Sequence, residues 1–196
     1  MVNVWEFPES LTVGGKEYQI RTDYRVIIDL LIALNDPDLD DENLLYSSYM
    51  KSRVILEIMY PDADDIPPEH WKEAIDKACE FIDMGIVDNR KKIKTMDWSQ
   101  DAPILVPAIN KVLNCEIREK KHIHWWTFLG AYIEIGESLF ANVVHIRQKK
   151  SKGKKLDKCE QEFYNENKSI IDFKPCTQRS EEEKKELRNY FGYGKK

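Results

Sequence analysis

The feature that most constrains the fold is a stretch framed by Pro67-Pro68 at its start and Gly85 at its end. Between them, apolar side chains recur at spacings of three and four residues: Trp71, Ala74, Ile75, Ala78, Cys79 and Ile82. This spacing is typical of an α-helix with one buried face. Proline at the start and glycine at the end of a helix is the usual asymmetry. The pattern therefore predicts a chain that folds by packing helices against one another.

The same periodicity recurs through the first three quarters of the sequence. It predicts further helices over residues 22–35, 42–60, 98–114, 124–135 and 138–149. Pro103 fits near the start of its helix, whereas Pro107 removes an interior hydrogen bond and should kink it. We therefore expect a mainly α fold, with a compact helical domain of about six helices.

A short β-hairpin is expected ahead of the first helix, over residues 10–20. Gly14-Gly15 supplies the positive backbone angles of a two-residue turn, and β-prone residues flank it on both sides. Because an isolated two-stranded hairpin is marginal in water, this one must pack on the helices.

The composition changes after Gln148, where a lysine-rich segment begins. We place a domain boundary there, with a helical domain over 1–148 and a polar, helical C-terminal extension over 149–196. Helices are expected at 155–168 and 180–191, the second opened by a capping box of Ser180 and Glu183. The extension has too few apolar residues for its own core, so it docks on the domain or waits for a partner.

The charge distribution is uneven along the chain. The net charge is −5, but residues 1–89 hold 20 acidic against 7 basic residues, and residues 90–196 hold 15 against 23. Opposite poles on neighbouring copies attract, which favours a homo-oligomer with head-to-tail contacts. The basic segment 147–158 offers phosphate contacts to a nucleic acid. It has no aromatic residue for base stacking, and a solvated linker is the commoner outcome.

No targeting or membrane segment is expected. The longest apolar stretch, Val26–Leu34, contains Asp29 and is far shorter than a membrane span. The amino terminus lacks the basic start and apolar centre of a secretory signal. The four cysteines form no close pair, which is typical of free thiols in a reducing compartment. The expected location is the cytoplasm.

No pattern of catalytic or metal-binding residues emerges. His122, His124, His145 and Cys115 lack a carboxylate or a second cysteine at ligand spacing. The acidic run 36–42 lacks the glycine and glutamate that a calcium loop requires. There is no phosphate-binding loop and no nucleophile elbow. We expect no enzyme activity, no cofactor and no metal.

The most unusual local feature is His124-Trp125-Trp126-Thr127-Phe128. Trp125 and Phe128 share the apolar stripe of a helix, whereas Trp126 lies off it by about 100°. Trp126 therefore either covers the edge of the core or faces a partner. Helix 42–60 is apolar on more than one side, so either it is the central helix or one of its sides meets another protein. Candidate partner-binding residues are Trp126, Tyr46, Met50 and Arg147.

Four motifs in this order resemble a known protein family. They are Val13-Gly14-Gly15-Lys16-Glu17-Tyr18, then Ile20 with Thr22-Asp23-Tyr24-Arg25, then His124-Trp125-Trp126 with Phe128, then Ile146-Arg147. The chain resembles, over about residues 8–150, a family from long-tailed phages and prophages of Gram-positive bacteria that is named only by a gene-product number. Within these motifs, the expected structural residues are Gly14, Gly15, Asp23, Trp125 and Phe128.

The resemblance implies a role in phage tail assembly. Genes of the family usually lie between those of the major tail protein and the tape-measure protein. That position implies a tail assembly chaperone that binds the tape-measure protein, with the major tail protein or a companion chaperone as further partners. It would act in the host cytoplasm and be absent from the mature virion. The alternatives are a structural component of the tail, or a nucleic-acid-binding accessory protein that uses segment 147–158.

Overall fold

The structure, a computed structural model, describes residues 5–39, 44–86 and 93–175, together with 180, 182, 183 and 186. In these residues the chain forms one small hairpin and eight α-helices. The expectation of a mainly α fold with an N-terminal hairpin is confirmed.

The hairpin consists of β1 (Ser10–Val13) and β2 (Lys16–Gln19). The helices are α1 (Tyr24–Leu34), α2 (Leu44–Met59), α3 (Trp71–Ile82), α4 (Trp98–Leu113), α5 (Trp125–Ile133), α6 (Leu139–Ser151), α7 (Lys158–Glu166) and α8 (Lys168–Ile171). Short 3-10 turns occur at Pro37–Leu39, Ala63–Asp65, Pro68–His70 and Ile117–Glu119. The helices expected from periodicity therefore form α1 to α6, with ends within a few residues of those predicted.

The described residues divide into two units. One unit contains residues 5–39, 44–86 and 124–126, with the few described residues after 179; the other contains 93–123 and 127–175. The first unit thus holds the hairpin and α1 to α3, and the second holds α4, α6, α7, α8 and most of α5.

In the first unit the hairpin packs on α3 through its glycine turn. The strands are antiparallel, with Ser10 opposite Gln19 and Val13 opposite Lys16. The backbone N–H of Gly14 donates to the Glu73 carboxylate at 3.0 Å. The inward side chains Leu11, Val13 and Tyr18 are buried, so the hairpin acquires the support that it lacks alone.

Helix α2 is central in the first unit, where it packs against both α1 and α3. Met50, Leu56 and Met59 of this helix are fully buried. Its C-terminal end is closed by Arg21, whose Nη1 donates to the carbonyls of Glu57 and Ile58 at 2.8 Å. A cation at this end also complements the helix dipole.

Polar caps define where several helices begin. The Asp23 carboxylate accepts from the N–H of Arg25 at the start of α1, and Asp97 accepts from Ser99 and Gln100 at the start of α4. Ser138 caps α6 by accepting from Ala141, as expected. Helix α4 runs through both Pro103 and Pro107 and ends at Asn114 in the left-handed conformation.

The domain boundary expected at 148/149 falls within a helix of the second unit. Helix α6 runs across that boundary to Ser151. Beyond it, Ile171 shares a buried cluster with Val143 and Ile146 of α6, against which Leu156, Phe163, Tyr164 and Ile170 pack. These apolar side chains extend a core to which α4 and α6 also contribute. The segment up to residue 171 is therefore part of the second unit.

The expected C-terminal helix over 180–191 lies mostly outside the described residues. The capping box at its start is present: the Ser180 N–H donates to the Glu183 carboxylate at 2.8 Å, and the Glu183 N–H donates to the Ser180 hydroxyl at 3.3 Å.

Candidate functional site

The aromatic motif begins with a histidine that opens α5. His124 Nδ1 accepts a hydrogen bond from the Trp126 N–H at 3.1 Å, and its Nε2 lies 3.3 Å from the Pro8 carbonyl oxygen. These two contacts fit the neutral tautomer that carries its proton on Nε2. The Phe7 ring stacks on the imidazole at 4.4 Å. His124 is therefore a structural cap of α5, and it holds the segment before β1 in place.

Both tryptophans of the motif are buried in the first unit. Trp125 Nε1 donates to the Ile82 carbonyl and Trp126 Nε1 to the Phe81 carbonyl, each at 2.8 Å. Trp126 is 4% exposed and stacks on Phe81. Of the two positions that the sequence leaves open for Trp126, the structure shows the one at the edge of the core, where Phe81 packs against its ring.

Arg147 is the second candidate that the structure buries. Its guanidinium pairs with the carboxylate of Asp101, with Nη1–Oδ2 at 2.5 Å and Nη2–Oδ1 at 2.9 Å. The side chains are 4% and 0% exposed. An arginine whose planar guanidinium is paired with a buried carboxylate has no N–H donors left for a partner protein. The structure thus places Arg147, a candidate for partner binding, in the interior of the second unit.

Arg147 also holds the chain after α8. Its Nε donates to the Ile171 carbonyl at 2.6 Å and its Nη2 to the Ile170 carbonyl at 2.8 Å. The guanidinium carbon lies 4.2 Å from the centre of the Phe173 ring. Gln100 of α4 adds hydrogen bonds to the carbonyls of Ile170 and Asp172. Arg147 and Gln100 thus connect residues 170–173 to α6 and α4.

The other two partner candidates lie on α2. Met50 is fully buried within the first unit. The reason is that α1 and α3 cover two sides of α2. Tyr46 belongs to α2, but its side chain lies outside the described residues, and its role stays a prediction.

The expected motif residues have clear structural surroundings. Gly14 and Gly15 have φ angles of +56° and +78°, which favour glycine. A Cβ on Gly14 would lie 2.6 Å from the His70 ring. Asp23 caps α1, and Phe128 is 1% exposed beside the ring of Trp98.

The basic segment 147–158 is partly neutralised inside the second unit. Lys149 forms an ion pair with Glu160, and Lys150 with Asp172 at 2.9 Å. The pKa of the Glu160 carboxyl is lowered to about 2, because the carboxylate accepts hydrogen bonds from Lys149, from the backbone N–H of Asp157 and from His145. Lys152, Lys154, Lys155 and Lys158 are exposed.

An open groove lies between α4 and the turn that joins α5 to α6, and we call it the turn groove. Its volume is about 450 Å³. It is lined by Ala108, Lys111 and Val112 of α4 and by the turn residues Glu134, Ile135, Gly136, Glu137 and Ser138. Three exposed apolar side chains belong to or adjoin this lining: Val112, Ile133 and Leu139. The second unit therefore concentrates uncovered apolar surface at one place.

The described part of the chain contains neither a cluster of metal ligands nor a helix that could cross a membrane. No group of three or more His, Cys, Asp or Glu side chains lies together there as metal ligands would. Among the same residues, no helix has both the length and the apolar character needed to cross a membrane. Of the cysteines that are described, Cys79, Cys115 and Cys159 are free thiols.

The fold is thus that of a mainly helical protein in which the aromatic motif and Arg147 are structural. Its exposed apolar surface suits contact with another protein. A family model described as "Bacteriophage Gp15 protein" matches residues 6–173, and the chain belongs to that family. Membership indicates a phage structural or morphogenesis protein. Neither the search of curated proteins nor that of solved structures found a match.

Sequence reasoning missed Asp101 and the turn groove. A signal for Asp101 existed: it lies four and eight residues before Leu105 and Ile109, so a carboxylate stands on the buried stripe of α4. Arg147 likewise follows Phe140 and Val143 on the buried stripe of α6. Two opposite charges on apolar stripes suggest a buried pair. The groove gave no comparable signal, because helix ends become neighbours only through the tertiary fold.

Proposed function

We propose that this protein is a non-enzymatic tail assembly chaperone that binds the tape-measure protein in the host cytoplasm. The observation that carries the proposal is membership in a bacteriophage family over residues 6–173. The resemblance of the motifs to proteins encoded beside the tape-measure gene narrows the role from phage morphogenesis in general to the tail.

The described surface supports a binding role. A tape-measure protein is long and helical, and before assembly its apolar stripes must be covered. A chaperone for it needs apolar grooves that accept a helix, because amphipathic helices are recognised through their apolar faces. Solvent-exposed apolar side chains occur in both units: Ile86 in the first, and Val112, Ile133 and Leu139 in the second.

Further partners follow from the same role. The major tail protein or a companion chaperone would join the complex during tube assembly. Homo-oligomers with head-to-tail contacts are proposed from the charge imbalance, with 20 acidic against 7 basic residues in 1–89 and 15 against 23 in 90–196. Neither a cofactor nor a metal is part of the proposed activity.

Mass analysis of purified virions tests the proposal against the structural alternative. A chaperone leaves before the tail is complete, so its peptides should be absent from virions and present in the infected-cell lysate. The major tail protein is the internal control for recovery. Presence of this chain in virions at a fixed ratio to the tape-measure protein would contradict the proposal and favour a tail component.

A further inference from the structure

The lining of the turn groove combines apolar side chains, such as Val112 and Ile135, with two carboxylates, which we call the acidic rim. Glu134 and Glu137 line the groove, and no hydrogen bond or ion pair engages either carboxylate within the described residues. Lys111 is the one basic residue in the lining. The exposed side chains of Ile133 and Leu139 stand at the two ends of the stretch 134–138. The groove therefore offers apolar contact with a net negative charge beside it.

Helix ends add to this negative potential. The last turns of α4 border the groove, and α5 ends at Ile133 directly before it. Unpaired carbonyl groups give a helix C-terminus a partial negative charge. Helix α6 begins at the same place, but Ser138 already accepts from one of its first N–H groups. The electrostatics thus favour an occupant that carries positive charge.

We propose that the turn groove binds an amphipathic helix of a partner protein, with an apolar stripe flanked by lysine or arginine. The identity of that partner, the tape-measure protein, rests on the proposed function. At about 450 Å³ the groove falls within the size range of ligand pockets. Such a helix places apolar side chains at positions i, i+3 or i+4 and i+7 into a groove of this kind. Its basic residues pair with Glu134 and Glu137.

A synthetic helix tests the chemistry of the groove without the natural partner. The probe is a peptide of about 20 residues, long enough to be helical, with leucine on one face and lysine on the other. Fluorescence anisotropy with the full chain should give saturable binding. A matched peptide with glutamate in place of lysine should bind at least about tenfold more weakly, because its negative charges are repelled by the acidic rim.

Surface variants locate the binding. Ile133→Ser with Leu139→Ser should weaken binding of the leucine–lysine peptide about tenfold, and so should Glu134→Lys with Glu137→Lys. Ile86→Ser is the apolar control, since Ile86 in the first unit is 57% exposed and Ile133 is 56% exposed. Glu162→Lys on α7 is the charge control. All replaced side chains are exposed, so circular dichroism should show folded variants.

The outcomes separate this inference from the proposed function. Absence of saturable binding, equal loss in the controls, or equal affinity for the glutamate peptide would overturn the groove assignment. Co-expression with the tape-measure protein is read independently. If groove variants still keep the tape-measure protein soluble, the groove assignment is overturned while the chaperone role stands. If the wild-type chain fails to do so, the chaperone role fails, and the peptide result alone decides the groove.

Discussion

Asp101 and Arg147 join α4 to α6 through a two-pronged ion pair in the interior of the second unit, with Nη1–Oδ2 at 2.5 Å and Nη2–Oδ1 at 2.9 Å. The same guanidinium donates to the carbonyls of Ile170 and Ile171. One side chain therefore connects three parts of the unit. Burial raises the pKa of the Tyr132 hydroxyl, and the negative charge of Asp101 raises it further.

Removal of either partner should destabilise the protein strongly. We expect Arg147→Met to lower the free energy of unfolding by about 3–5 kcal/mol, because the Asp101 charge stays buried without a partner. The double variant with Asp101→Leu should recover part of this loss. Recovery should be incomplete, since the Ile171 carbonyl would lack its donor and the Ile170 carbonyl would keep only Gln100. Urea denaturation of the two single variants and the double variant measures the coupling.

The control for this ion pair is Arg118→Ala. Arg118 pairs with Glu116 on the surface, where its side chain is 68% exposed. An exposed pair contributes little to stability, so this variant should unfold near the wild-type midpoint. Additive effects of Arg147→Met and Asp101→Leu would show that the two side chains are not coupled.

The two tryptophans of the aromatic motif should prove equally important for stability. Because both are buried, Trp125→Ala and Trp126→Ala should each cost about 3–5 kcal/mol. Trp126→Phe keeps most of the volume but removes one of the two donors to the Phe81 carbonyl, which still accepts from the Met84 N–H, so it should cost only about 0.5–1.5 kcal/mol. Chemical denaturation followed by circular dichroism measures these differences. Trp5→Ala is the exposed control, and a Trp126→Ala midpoint near that control would mean that Trp126 is not packed.

Much of the fold could be predicted from the sequence because its signals are local. The stripe from Trp71 to Ile82, the Asp23 and Ser138 caps and the Gly14-Gly15 turn each depend on nearby residues. The fate of Trp126 could not be predicted in this way. Its position relative to the α5 stripe is local, but the side chain of Phe81 that covers it comes from another helix.

The same reasoning applies to the segment around the domain boundary expected at 148/149. Lysines at 149, 150, 152, 154 and 155 indicate a hinge if they are all hydrated. Two of them instead bind Glu160 and Asp172, which the chain brings back after a turn. The partners of a charged side chain are long-range facts, so its role cannot be inferred from composition. The core residues after 155 are likewise sufficient only because α6 supplies Val143 and Ile146.

The glycine turn offers a test of how the hairpin meets α3. Alanine at Gly14 or Gly15 should cost about 1–2 kcal/mol, because both positions have left-handed backbone angles. Gly14→Ala should cost more than Gly15→Ala, since its Cβ would lie 2.6 Å from the His70 ring whereas Gly15 faces open space. Thermal denaturation compares the two. In a His70→Ala background the difference should disappear; if it persists, the imidazole is not its cause.

Acid should weaken the contact between α6 and α7. The pKa of Glu160 is lowered to about 2, from an ordinary value of 4.5, so its ionised form stabilises the folded state. That contribution is complete above pH 4.5 and is lost as the pH falls toward 2. Titration of the Glu160 carboxyl by NMR should give the low pKa, and Lys149→Met should raise it. A Glu160 pKa at the ordinary value of 4.5 would contradict the ion pair.

Co-expression with the tape-measure protein of the same phage tests the central claim most directly. The measurement is the fraction of tape-measure protein in the soluble lysate, and its co-purification with a tag on this chain. An unrelated helical protein expressed at the same level is the control. The chaperone account predicts soluble tape-measure protein that co-purifies with this chain and aggregates with the control. Aggregation in both cases, or soluble tape-measure protein that does not co-purify, would contradict the account.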